Sequence, residues 1–116
     1  MSKLRIVEVR TYKLKPGSGA AFHDLVAQQS MPLVKAANMD VVAYGQSLHD
    51  TDSYYLIRSY DSMEHLHSSQ DAFYASDAWR QGPREAIVAL IESDSNAVMC
   101  LSTGALEAIR QSHGTP

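Results

Sequence analysis

The hydrophobic pattern of this chain switches between a period of two and a period near 3.6 in the order strand, helix, strand, strand, helix, strand. That order leaves few ways to bury every apolar face. From Leu4 to Leu14 the residues alternate, with Val7, Val9 and Thr11 on one side and Ile6, Glu8, Arg10 and Tyr12 on the other, as in a strand with two unlike faces. Lys15-Pro16-Gly17-Ser18 has turn chemistry. Beyond it Phe22, Leu25, Val26, Gln29 and Leu33 share one stripe and predict a helix from about Ser18 to Ala37. Pro32 removes a backbone donor inside that helix, which predicts a kink, or a break with Ser30 capping a second segment.

Val41 to Leu48 and Tyr54 to Tyr60 are rich in β-branched and aromatic residues, and the polar run His49-Asp50-Thr51-Asp52-Ser53 between them suits a hairpin. Asp61, with Glu64 three residues on, resembles a capping box, and Met63, Leu66, Gln70, Phe73 and Tyr74 form the buried stripe of the helix it opens. The helical signal breaks at Gln81-Gly82-Pro83 and resumes with Ile87, Leu90 and Ile91. Asn96 to Thr103 alternates weakly as a last strand, and Ala105 to Arg110 suits one closing turn.

With 116 residues the chain is expected to form one domain over residues 1–116. The order βαββαβ predicts an α+β fold: a four-stranded antiparallel sheet with both main helices on one face, reached by right-handed crossovers. Setting Val7 and Val9 against the helices puts Glu8, Arg10 and Tyr12 on the other face, and the same rule sends Tyr55 and Ile57 inward and Leu56, Arg58 and Tyr60 outward. A face mixing charge with large rings fits an enclosed, partly wet cavity, which a second copy of the sheet would cover. The parity of the second and fourth strands stays open, so Tyr44 and Cys100 are candidates for either face.

A net charge of −3 and a pI near 5.9, with no cluster of Lys and Arg, argue against nucleic acid as a partner. The lone Cys100 cannot form an internal disulfide, and Arg5, Glu8 and Arg10 interrupt any signal-like apolar run. No window is long and apolar enough for a membrane span. The expectation is a cytoplasmic protein with no membrane partner.

The run Val7-Glu8-Val9-Arg10-Thr11-Tyr12-Lys13-Leu14-Lys15-Pro16-Gly17 resembles the opening motif of the NIPSNAP family. Tyr55-Leu56-Ile57-Arg58-Ser59-Tyr60-Asp61-Ser62-Met63-Glu64 and Asp77-Ala78-Trp79 resemble its later motifs, and the likeness runs to about Thr103. The resemblance implies the dimeric α/β barrel superfamily, in which two ferredoxin-like sheets pack face to face and each encloses a small-molecule cavity. Relatives there include cofactor-free monooxygenases, muconolactone-type isomerases, haem-degrading enzymes and dye-decolourising peroxidases, whereas the NIPSNAP branch has no agreed reaction. The implied assembly is a homodimer or a multiple of it.

In such a cavity Arg10, Arg58, Leu56 and Tyr44 would bind a small anionic organic molecule, with Glu8 as proton acceptor and Tyr12 or Tyr60 as hydrogen-bond donor. An enzyme of this kind would act as a monooxygenase or isomerase without cofactor, metal or nucleotide. The competing reading of Glu8 is a structural pair with an arginine on a neighbouring strand, the commoner use of such residues. A non-catalytic binding or interaction module, with Tyr12 and Tyr60 plugging the cavity, is the alternative function. His65 and His67 are two apart, about 200° around a helix, so they cannot share a metal. On the expected helix His65 faces solvent and His67 flanks the buried stripe. A haem on a lone histidine fits the spacing at His23, His65 or His67, although a surface histidine is the commoner case. Cys100 reads as a small buried apolar residue, and Trp79 as packing between helices against Phe73 and Tyr74. No phosphate-loop glycine pattern is present.

Overall fold

Alternation from Leu4 to Leu14 produces the central strand β1 over that range. The computed structural model describes residues 3–113. Helix α1 (Gly19–Leu25) runs into a single π-helical turn (Val26–Ser30) and then α2 (Met31–Ala36). Strands β2 (Asp40–Gln46) and β3 (Ser53–Tyr60) form the hairpin. After it come α3 (Met63–Ala75), α4 (Asp77–Arg80), α5 (Arg84–Ala89), β4 (Ile91–Ser102) and α6 (Thr103–Ser112). The sheet order is β2-β3-β1-β4 and every pairing is antiparallel, the α+β, ferredoxin-like arrangement predicted by element order. No helix among the described residues is long and apolar enough to cross a membrane.

The main core lies between the sheet and the helical layer. Leu14, Tyr54, Leu56 and Tyr60 of the sheet meet Phe22, Val26, Met31 and Val34 of the first helical stretch and Leu66, Phe73, Trp79 and Ile87 beyond. The two sheet faces are therefore the reverse of the sequence expectation: Glu8, Arg10, Tyr12, Leu56, Arg58 and Tyr60 point at the helices, and Val7 and Ile57 point away, into a smaller cluster with Val42 and Leu106. The physical reason is twofold. The helical layer needs the volume of the tyrosines and leucines, and Glu8 and Arg58 among them neutralise each other instead of seeking water. The aliphatic side is covered by α6, which is a ten-residue helix and not a closing turn. A register shift between Val41 and Ala43 turns the inserted Val42 into that second cluster.

Other differences are local. Pro32 neither breaks the helix nor brings in a cap from Ser30, whose side chain makes no capping bond; the wider turn before it absorbs the missing donor. Ser62, not Asp61, caps α3 through the His65 amide, and Met63 is exposed. Strand β4 begins at Ile91, five residues before Asn96, because pairing along the whole of β1 outweighs the poor strand propensity of Ser93, Asp94 and Ser95. Its residues from Glu92 to Cys100 are exposed, so Cys100 is not a buried apolar residue. His65 stands against the Tyr60 ring, centroids 5.6 Å apart, while His67 is exposed, the opposite of the expected pair of positions. Trp79 packs on Phe73 and Tyr74 as expected.

Candidate functional site

Antiparallel register places Glu8 of β1 directly opposite Arg58 of β3, and both are almost wholly buried, 0% and 1% exposed. Arg58 Nε donates to Glu8 Oε1 at 2.9 Å, Nη2 lies 2.7 Å from the same oxygen, and Nη1 donates to the Tyr74 hydroxyl at 3.1 Å. Glu8 Oε2 accepts from Gln70 Nε2 of α3 and from Asn96 Nδ2 of β4, each at 2.9 Å, with Arg10 Nη2 at 3.6 Å. Burial raises the Glu8 carboxyl, but the Arg58 charge, the Gln70 hydrogen bond and the Arg10 charge outweigh it and hold the group below its ordinary range. A carboxylate with both oxygens engaged in this way is a poor proton acceptor.

The cluster holds two guanidinium groups against one carboxylate. Arg58 neutralises Glu8, which leaves the Arg10 charge in excess, and both Arg10 Nε and Arg58 Nη2 are buried without a hydrogen-bond partner. Arg10 opens onto a cleft of about 630 Å³ between the helical layer and the β1–β4 edge, where Tyr12, Gln70, Tyr74, Arg84 and Asp94 also stand. Tyr12 and Tyr74 are shared with an inner cavity of about 40 Å³ under the helices, into which Ser30, Tyr54 and Arg58 also project among apolar side chains. The π-helical turn brings Val26 and Ser30 to that cavity, a use of such turns seen often at functional sites. Burial, with Tyr74 alongside, pushes the Tyr12 phenol up to about 12 against the pull of Arg10 and Arg58. Burial also raises Tyr54 and Tyr60. All three phenols are thus donors at neutral pH.

The structure brings Glu8, Arg10, Tyr12, Leu56 and Arg58 together on one side of the sheet. Tyr60 shares that side but is turned to Gln70, whose Nε2 lies 3.2 Å from its hydroxyl. Tyr44 pairs with Leu56 and so shares its parity; its ring lies 6.1 Å from that of His23, away from the charge cluster. Sequence reasoning passed over Tyr54, Gln70, Tyr74 and Asn96. Tyr54 was legible, since it shares the parity of Leu56 and Arg58. Gln70 and Tyr74 stood in the helical stripe but read as packing, and Asn96 lay on a strand of open parity. Among the described residues no group of three or more His, Cys, Asp or Glu side chains could hold a metal ion.

No curated protein matches the sequence. Several solved structures share the fold. A NIPSNAP family protein of unknown function from Agrobacterium tumefaciens superposes with a TM-score of 0.78 at 23% identity, over 84% of this chain and 88% of that one. An uncharacterised NIPSNAP domain protein from Burkholderia xenovorans gives 0.74 at 18% identity, over 81% and 91%. A proposed antibiotic biosynthesis monooxygenase from Nitrosomonas europaea gives 0.62 at 13%, over 81% and 95%. The NIPSNAP family model matches residues 7–103, which span β1 through β4 and hold the whole charge cluster, and the chain belongs to the NIPSNAP family.

Proposed function

We propose that this protein binds a small anionic organic molecule in the cleft between its helices and the β1–β4 edge, with the anionic group on Arg10. The single observation carrying this reading is the excess positive charge: Arg58 already neutralises Glu8, while Arg10, whose Nε is buried without an acceptor, lines the cleft. Tyr12 and Tyr74 give the ligand ring faces, Gln70 a polar edge, and Arg84 a second cation. As an enzyme the protein would work without metal or nucleotide on an enolisable or oxidisable molecule, as a monooxygenase or isomerase, with Arg10 and Tyr12 holding the developing negative oxygen. The likeness in fold to a proposed monooxygenase is compatible with that reaction class. The working form in this reading is a cytoplasmic homodimer.

The size of the inner cavity favours a second reading. At about 40 Å³ it holds a few water-sized groups, far below the roughly 300–1,000 Å³ of a typical ligand site. A ligand must then lie chiefly in the cleft, or the protein is a non-catalytic module. Native mass spectrometry of freshly purified protein and its Arg10→Gln variant separates the two. Retained small-molecule mass on the wild type that disappears in the variant supports anion binding. Bare protein in both, with no weakening of any added aromatic carboxylate by the substitution, supports the module.

A further inference from the structure

We propose that the Gln70 side-chain carbonyl makes the cleft selective for an aromatic 2-hydroxy acid, accepting a hydrogen bond from the hydroxyl beside the carboxylate that Arg10 holds. The proposal rests on the anion site at Arg10 described above and deepens it by naming the class of ligand. Chemistry fixes the orientation of the Gln70 amide. Its Nε2 donates to Glu8 Oε2 at 2.9 Å and to the Tyr60 hydroxyl at 3.2 Å, and an ionised carboxylate oxygen can only accept. Both amide hydrogens are therefore committed, and Oε1 has no donor among the described residues. The buried side-chain atoms left without a partner there are Arg10 Nε and Arg58 Nη2, so Gln70 Oε1 is not sealed in. Gln70 is half-buried and lines the cleft, and what it presents to a ligand is an acceptor.

The same Glu8 oxygen sets Gln70 beside Arg10. Arg10 Nη2 lies 3.6 Å from Glu8 Oε2, and the Arg10 side chain is 20% exposed, so its guanidinium stays within reach of a ligand. Two side chains that end around one oxygen place a cation and an acceptor next to each other on the cleft wall. A molecule that meets both carries a hydroxyl hydrogen close to its carboxylate, as a 2-hydroxy acid does. The Tyr74 hydroxyl, by contrast, accepts from Arg58 Nη1 at 3.1 Å and keeps its own hydrogen to give, which suits the carboxylate and not the hydroxyl hydrogen. The rings of Tyr12, Tyr74 and Trp79 line the same cleft, the last two edge to face at 5.6 Å, and they match an aromatic group on the rest of the ligand. At about 630 Å³ the cleft has the size of a small-molecule site. Its other acceptor, Asp94, stands exposed on β4, opposite Tyr12 in register.

Isothermal titration calorimetry with 3-phenyllactate, its 2-methoxy analogue and 3-phenylpropanoate isolates the hydroxyl hydrogen, because the three acids share carboxylate and ring. Wild type is expected to bind the better enantiomer of 3-phenyllactate about fivefold more tightly than either analogue. Gln70→Met removes the acceptor. Gln70→Lys removes it too but keeps a donor for Glu8, so the test survives if the first variant does not fold, as melting curves establish. In either variant the preference should fall to about one, whereas a merely structural role for Gln70 would weaken all three acids alike and preserve it. Arg10→Gln is expected to weaken all three about tenfold or more. If the acids bind wild type equally and Arg10→Gln weakens them, selection by Gln70 is overturned and the anion site stands. A preference that persists without Gln70, or that is lost in Asp94→Asn instead, also overturns it. Binding indifferent to Arg10→Gln overturns the anion site, and with it a reading that needs the carboxylate on Arg10. No saturable binding of any of the acids to wild type at millimolar concentration overturns both.

Discussion

Glu8 sits where a catalytic base would be sought, yet its surroundings make it a structural anion. Hydrogen-bond donors from β3, β4 and α3 converge on its two oxygens with the Arg10 charge of β1 beside them, so it ties the sheet to the helical layer. Glu8→Gln would leave the Arg58 guanidinium buried without a counter-charge, and equilibrium unfolding in urea at pH 7 should show a loss of about 3–5 kcal/mol. The effect has a defined pH course. The folded pKa lies below the ordinary value of 4.5, so the contribution is full above that value and disappears as pH falls through the lower folded value. The gap between wild type and variant should accordingly narrow below pH 4.5. A variant as stable as wild type at pH 7 would return Glu8 to the list of reactive groups. The pairing of Glu8 with Arg58 could be read from two charged residues on neighbouring strands. Its saturation could not, because Gln70 and Asn96 arrive from elements whose facing side the pattern leaves open.

At the scale of elements, the long first helix was legible from its stripe, and the way it is held was not. The head of α1 is capped from a distance: both Asp52 oxygens, carried on the β2–β3 turn, accept the amides of Gly17 and Gly19. The turn lies so close that a Cβ at Gly19 would stand 1.8 Å from the Thr51 carbonyl oxygen, a backbone atom with no freedom to swing aside. Gly19→Ala should therefore cost about 1–3 kcal/mol in thermal or urea unfolding, as overpacking does. It should also disturb the Tyr54–His23 hydrogen bond one helical turn on, visible as a changed His23 resonance. A neutral substitution would mean that the hairpin tip moves freely from the helix. No local signal announces this contact, since a glycine after Pro-Gly-Ser reads as more turn. The π-helical turn is equally silent: Pro32 signals a fault, but which carbonyls yield is settled by the cavity-facing positions of Val26 and Ser30.

For the whole molecule, element order was enough to derive the sheet and its topology, while the assignment of faces depended on a helix the pattern did not resolve. Ala105 to Arg110 lies in a ten-residue helix that buries Leu106 against Val7 and Val42 and is pinned by Arg110 to Asp40 at 2.6 and 2.7 Å. Once α6 is counted, the valines of β1 have an apolar partner and the tyrosines are free to meet the main helices. The family match ends at residue 103, where α6 begins. Helix α6 leaves Thr11 and, along β4, Ser95 and Met99 exposed on its side of the sheet, Met99 by 43%. An exposed twelve-residue edge strand with an apolar side chain at this position is costly for a monomer. If two copies cover that face mutually, light scattering after size exclusion should give twice the chain mass of 12.8 kDa, and Met99→Glu should return it to the single mass with secondary structure intact. A wild-type monomer would mean that the face α6 leaves open is simply solvated, and that the cleft at Arg10 works within a single chain.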